Sequence, residues 1–166
     1  MKKNRKSKFF INLFNPINII STFFGIGLIP YVSGTLGSII SIIIWYYSNN
    51  IFIKYEWIFI TLGVMLGIYC CEKTSLYIKH HDHYCIIFDE IVGMWIVLLN
   101  CSINDYKSII LGLFFFRIFD IIKPWPINWI NKNILNGFGI ILDDLLAGIY
   151  SLIMLFIYNA ILLFNM

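Results

Sequence analysis

The last apolar run of the chain, LLAGIYSLIMLFIYNAILLF at residues 145–164, contains no charged side chain. A helix of about 20 residues, rising about 1.5 Å per residue, spans roughly the 30 Å of bilayer hydrocarbon. Four more apolar runs precede it, at about 36–53, 57–71, 91–103 and 109–122. The first two are long enough to cross a membrane. The third and fourth are short, since 13 residues reach only about 20 Å. Joined at Asn104–Asp105, they predict a tilted or re-entrant helical hairpin. With 60% hydrophobic and 13% charged residues, the composition is that of a membrane protein rather than a soluble domain. The expectation is an all-α, multi-helical bundle embedded in a membrane, with about three to five membrane helices, in one domain over residues 1–166.

The remaining composition narrows the class. Cys70, Cys71, Cys85 and Cys101 form no C-x-x-C pair and read as small apolar fillers rather than a disulfide frame or zinc site. The basic stretch 1–15 opens with MKKNRKSKF, and no signal-peptide pattern follows. It supplies much of the net charge of +3, and its plain role is orientation against anionic lipid, not binding of nucleic acid. If that tail is cytoplasmic, two crossings return the chain at residues 72–88, and the hairpin goes in and comes back. The final helix then leaves. Lys54 and Lys107 face out on this path, while the other ten Lys and Arg stay inside or at the inner boundary.

The same path gathers acids on one side. FDEIVGMW places Asp89–Glu90 at the start of the third run, Asp120 closes the fourth, and LDDLLAGI places Asp143–Asp144 before the fifth. Gly93 lies i+4 and i+3 from the first pair, and Ala147–Gly148 repeat that spacing for the second, so small residues sit beneath both pairs. Arg117, Asp120 and Lys123 fall on one helix face, and Pro124 and Pro126 end that helix. Five carboxylates against Arg117 and Lys123 leave −3, a charge that calls for a bound cation. Hard oxygen ligands suit Mg²⁺, and the ion with Arg117 and Lys123 would offer positive charge to a phosphate. The plainer alternatives are acids favoured by the helix macrodipole and a structural Arg117–Asp120 ion pair.

Two other stretches carry weaker signals. HHDH at 80–83 reads first as a solvated loop, in which Mg²⁺ would prefer Asp82 to the imidazoles, and His81 or His83 could donate protons. FGIGLIPYVSGTLGS at 24–38 brings four glycines, including Gly34, with Ser33 and Thr35, just ahead of a helix. Its amides could cradle phosphate, or it could be a flexible re-entrant turn. No G-x-S-x-G, H-E-x-x-H or D-x-D is present. Metal-activated water attacking phosphorus directly is the chemistry left.

The pieces GIGLIPYVSGTLGS, HDHYCIIFDEIVGMW, FRIFDIIKPWPI and GFGIILDDLLAGI, in that order, resemble the phosphatidylglycerophosphatase A family, the bacterial Mg²⁺-dependent lipid phosphatases. The resemblance spans most of the chain, departing at Ser33, where the family pattern has proline. It implies a mostly helical fold at the inner membrane that hydrolyses phosphatidylglycerophosphate to phosphatidylglycerol and phosphate in phospholipid synthesis. Carried over by motif, Asp89, Glu90, Asp143 and Asp144 would hold Mg²⁺, with Asp120 a further ligand or base. Arg117 and Lys123 would clamp phosphate, Gly34 and Thr35 would contact it from the loop, and Asp82 or a neighbouring histidine would protonate the leaving oxygen. Two rival readings remain open: a small cation or proton transporter, with acids near mid-bilayer, and a non-catalytic assembly subunit that tolerates acid substitution.

Overall fold

The structure, a computed structural model, describes residues 11–99 and 101–164, with side chains at all of these except 49–53, 163 and 164. The strongly basic residues of the tail, within 1–10, lie outside the described residues. The described chain is helical throughout, as expected: α1 (Pro16–Ser21), a 3₁₀ turn (Ile26–Leu28), α2 (Ser33–Ile78), α3 (Phe88–Leu98), α4 (Tyr106–Ile122), α5 (Ile127–Asn133) and α6 (Gly137–Phe164).

Helix starts follow local chemistry. Asn15 caps α1 by accepting the Ile17 N–H at 3.0 Å, with Pro16 in the first turn. Asp105 caps α4 by accepting the Ser108 N–H at 3.1 Å. At α6, Asn136 accepts the Gly139 N–H at 3.0 Å, and the Glu72 carboxylate accepts the Gly137 N–H. This helix therefore begins about two turns ahead of the apolar run at 145, because GFGIIL is itself apolar and well capped. Asp143 and Asp144 lie beyond its first turn, so the macrodipole does not account for them.

The 46 residues of α2 are interrupted at Tyr55, whose φ of −130° and ψ of 24° are not helical. Contacts with α3 show that the chain reverses there. Before the break, Ser41 Oγ donates to the Ile91 carbonyl at 2.9 Å and Gly37 packs on Ile87. After it, Gly63 packs on Trp95 and Gly67 on Phe88, so the register runs the other way. The two expected crossings are thus two antiparallel arms flanking α3. Among the described residues, two stretches are long and apolar enough to cross a membrane, Lys54–Ile78 and Gly137–Leu162. At 11 and 17 residues, α3 and α4 reach about 16 and 25 Å, which fits the short hairpin expected for them.

The buried α3 is the centre of the bundle, with Ile91, Val92, Met94, Val97 and Leu98 all in the core. Met94, Val97, Leu98, Phe116, Ala147 and Leu155 form one apolar cluster, while Cys71, Cys85, Phe88, Val92, Ile140 and Ile141 form another. Of the four cysteines, Cys70, Cys71 and Cys85 are buried and Cys101 is half-buried.

The α3–α6 contact is backbone on backbone. A Cβ on Gly93 would lie 2.7 Å from the Asp144 carbonyl oxygen, and one on Gly148 would lie 2.4 Å from that of Gly93. Only hydrogen fits at either place. Gly148→Ala should therefore lower stability by about 1–3 kcal/mol, the scale of overpacking in a close-fitted core. Thermal unfolding in detergent reads the change, and an unaltered midpoint would contradict so close an approach.

The amino-terminal segment is pinned to the same end of the bundle. Thr74 Oγ1 donates to Asn18 Oδ1 at 3.1 Å and lies 2.7 Å from Ser21 Oγ, all three residues being buried. The Ser21 carbonyl accepts the Ile87 N–H at 3.0 Å, one residue before α3 begins.

Candidate metal and phosphate site

The helix directions dictate where the acids meet. The first arm of α2 leaves one end of the bundle and the second returns to it; α3 leaves, α4 returns and α6 leaves. Asp89 and Glu90 in the first turn of α3, Asp120 near the end of α4, and Asp143 and Asp144 in α6 consequently share that end.

Three of the acids form a group able to hold a metal ion. Asp89, Glu90 and Asp144 each present a carboxylate oxygen within 4.8 Å of the others. The glycine contact between α3 and α6 makes this possible, since it presses the Asp144 backbone against α3 directly beneath Asp89 and Glu90. Asp89 Oδ1 accepts the Glu90 N–H at 3.0 Å. Glu90 Oε2 is buried and has no hydrogen-bond partner. Three crowded carboxylates, two buried and Glu90 half-buried, with an orphaned oxygen and no thiol or imidazole among them fit a hard divalent cation such as Mg²⁺.

Arg117 stands beside this group. Its Nη1 donates to Asp120 Oδ2 at 2.6 Å and lies 3.9 Å from Glu90 Oε1, while its Nε is buried without a partner. The glycine-rich segment reaches the same place. A Cβ on Gly34 would fall 2.3 Å from Glu90 Oε1 and 2.7 Å from Arg117 Nη1, so the start of α2 rests directly on both side chains. Val32 gives that start no side-chain cap, and Thr35 is half-buried in its first turn. Uncapped amides at a helix start beside a guanidinium make an anion-accepting edge.

Asp143 and Lys123 sit in a separate network. Lys123 Nζ donates to Asp143 Oδ2 at 2.5 Å and to Asp82 Oδ2 at 3.3 Å. Asn131 Nδ2 donates to the same two oxygens at 2.7 and 2.9 Å. Burial pushes Asp82 up, but the Lys123 charge and the Asn131 amide outweigh it and hold the carboxyl below its usual range. Burial pushes Lys123 down, but Asp143 and Asp82 outweigh it and hold the ammonium above its usual range. Adjacent residues on a helix point about 100° apart, so while Asp144 faces the acid group, Asp143 faces the lysine.

Among the described residues, no histidine joins the group of Asp89, Glu90 and Asp144. His80 Nδ1 meets the His81 carbonyl at 2.7 Å, and His83 Nδ1 lies 3.1 Å from Cys85 Sγ. Burial, then His80, keeps the His83 imidazole below its usual range, against the pull of Asp82. Both ring nitrogens of His81 are buried without partners.

Asn131 and Glu72 were not singled out from sequence. The spacing of Ile127, Ile130 and Asn131 puts the asparagine on the buried face of α5, a signal that was available. Glu72 closes an apolar run much as the other acids open theirs, and only packing shows that it serves as a cap for α6.

The family model for phosphatidylglycerophosphatase A matches residues 19–159. A relative from Escherichia coli (strain K12), named phosphatidylglycerophosphatase A, is 38% identical over 141 residues, covering 85% of this chain and 82% of its own. One of the same name from Haemophilus influenzae is 40% identical over 147 residues, covering 88% and 90%. A third, from Bacteroides thetaiotaomicron, is provisionally named a phosphatidylinositol-3-phosphatase and is 36% identical over 144 residues, covering 82% and 89%. No solved structure matches the chain. The match takes in the start of α2, the acid group and Arg117 together, and the chain belongs to the phosphatidylglycerophosphatase A family.

Proposed function

We propose that this protein is a lipid phosphatase that hydrolyses phosphatidylglycerophosphate to phosphatidylglycerol and phosphate at the cytoplasmic face of the inner membrane. The observation that carries the reading is the convergence of Asp89, Glu90 and Asp144 beside Arg117 and the start of α2. Family membership supports the substrate. Membrane placement is supported by the two apolar stretches, whose most apolar windows are only 33% and 44% buried within the protein. A soluble core helix would bury most of that surface, and lipid is the solvent such faces suit.

Asp89, Glu90 and Asp144 would hold Mg²⁺. Bound there, the ion supplies polarisation of a phosphoryl oxygen and a water made acidic enough to attack near neutral pH. The residues of the chain do the rest. Arg117 and the first-turn amides of α2 bind the phosphoryl oxygens and favour the charge that spreads over them in the transition state. A carboxylate accepts the proton of the attacking water, and Asp120 is suited to that role because Arg117 fixes its position. The Lys123–Asp82–Asn131 net holds Asp143, and with it the rotation of α6 that aims Asp144. In this reading Asp82 and Lys123 position α6, in place of the proton-donor and clamp roles expected from sequence, and Asp143 is held by them instead of serving as the fourth metal ligand.

Chelation gives the direct test. Purified protein with phosphatidylglycerophosphate in mixed micelles should release phosphate with Mg²⁺, fall to background with excess chelator, and recover when Mg²⁺ is restored. Release that ignores chelator would refute the metal mechanism. Absence of release from the untreated protein, together with cation flux in liposomes, would favour the transporter.

A further inference from the structure

Two groups of large apolar side chains stand exposed close to the acidic site. In the segment before α2, Phe24 is 75% exposed and Tyr31 fully so, with Ile29 and Val32 beside them. Tyr31 is three residues from Gly34, which rests on Glu90 and Arg117. Between α4 and α6, Trp125 is 80% and Trp129 55% exposed, next to the exposed Ile121 and Ile122 that end α4. Trp125 is two residues from Lys123, and Trp129 is two from Asn131, the pair that holds Asp143.

Neither group is explained by packing. The short α5 already buries Ile127 and Ile130 inward, which leaves Trp129 outward beside Lys132. Tyr31 holds a φ of +71°, a left-handed backbone that bulky side chains rarely adopt, and in doing so projects its ring away from the protein. What covers these surfaces is indicated by the chain that continues from them. The second group runs straight into α6, whose stretch Gly137–Leu162 is one of the two able to cross a bilayer. Amphipathic aromatic rings with a nearby lysine at the end of such a helix suit the headgroup–acyl boundary, where one side of the ring is wet and the other apolar.

We infer that residues 24–32 and 121–129 are two apolar lips that seat the acidic site in the headgroup layer of a phospholipid leaflet. A lipid phosphate then reaches the carboxylates while its acyl chains remain in the bilayer. This rests on the reading of the site as a lipid phosphatase, and it assigns the seating to Phe24, Tyr31, Trp125 and Trp129.

Tryptophan quenching tests the placement without requiring turnover. The full chain is reconstituted in phosphatidylglycerol–phosphatidylcholine vesicles carrying bromine either near the carbonyls or deep in the acyl chains. The fluorescence lost in the Trp125→Phe, Trp129→Phe double variant is the signal of those two rings. The expected result is strong quenching of that signal by shallow bromines and weaker quenching by deep ones. A signal quenched by aqueous iodide but by neither lipid would overturn the inference, as would deep quenching exceeding shallow.

A second measurement uses Trp125→Ser, Trp129→Ser and Tyr31→Ser. Each should lose several-fold more activity toward phosphatidylglycerophosphate in vesicles than toward a short-chain, monomerically dispersed form. Equal losses on both substrates would overturn the inference. A wild-type protein that releases no phosphate from either substrate, with shallow quenching intact, would count against the phosphatase reading alone and leave the membrane seating standing.

Discussion

Asp144→Asn should cut phosphate release by about 10²–10³-fold or more, the scale on which losing one preorganised electrostatic group is felt. The substitution is nearly isosteric, so the close backbone contact beneath it survives. It removes one of three carboxylates that face one another within 4.8 Å and turns an acceptor oxygen into a donor amide. The metal-free protein should meanwhile become more stable, because a buried negative charge beside Asp89 and Glu90 has gone. Activity and stability moving in opposite directions is the signature of a group kept for chemistry. Turnover at the wild-type level, or activity lost only in step with folding, would remove Asp144 from the proposed role. Assays of release and thermal unfolding without metal, on one preparation, read both.

Lys123→Met should cost about 3 kcal/mol of stability, toward the low end for breaking a buried ion pair because the lysine keeps some solvent contact. Asp143 is buried and would be left with Asn131 as its remaining donor. The diagnostic part is the second substitution. Asp143→Asn in the Lys123→Met background should restore much of the loss, since the buried charge is then gone and the one that remains, on Asp82, is partly exposed, and the double-mutant cycle should show coupling of about 1–3 kcal/mol. Additive losses would mean that Lys123 stabilises the protein through the packing of its stem rather than through Asp143. Activity of the double variant then reports how far a neutral pair still aims Asp144.

Much of this arrangement was legible in the residues, for reasons of parity. Apolar runs of known length, each reversing the chain, must bring Asp89, Asp120 and Asp144 to one end whether or not the middle pair crosses a membrane. The small residues beneath the acids were legible too, because helical spacing places Gly93 and Gly148 at a contact, and they do meet there. The division of labour within LDD was not. Two neighbouring acids look equivalent in a sequence, and only the rotation of α6 decides that one faces carboxylates and the other a lysine. The beginning of α6 was hidden for a related reason: acids after an apolar hexamer resemble a helix start, whereas Asn136 and the distant Glu72 are the actual caps. Asn131 went unnoticed because an amide carries no charge to count. The net role of Lys123 depends on Asp82, 41 residues away, and no local pattern reports that pairing.

The hydrogen bond from the Ile87 amide to Ser21 has a practical corollary for anyone trimming the molecule. Ile11 already packs against the apolar cluster that includes Cys85 and Phe88, and the Asn12 carbonyl accepts the Asn18 side-chain amide at 3.1 Å, so the segment is in contact from its first described residue. Cutting past Ser21 removes the acceptor that fixes the residue immediately ahead of Phe88, and with it the buried Asn18–Thr74 link. Progressive shortening from the amino end should therefore register as a step, not a slope: the opening helix serves as mounting hardware for the carboxylates of α3.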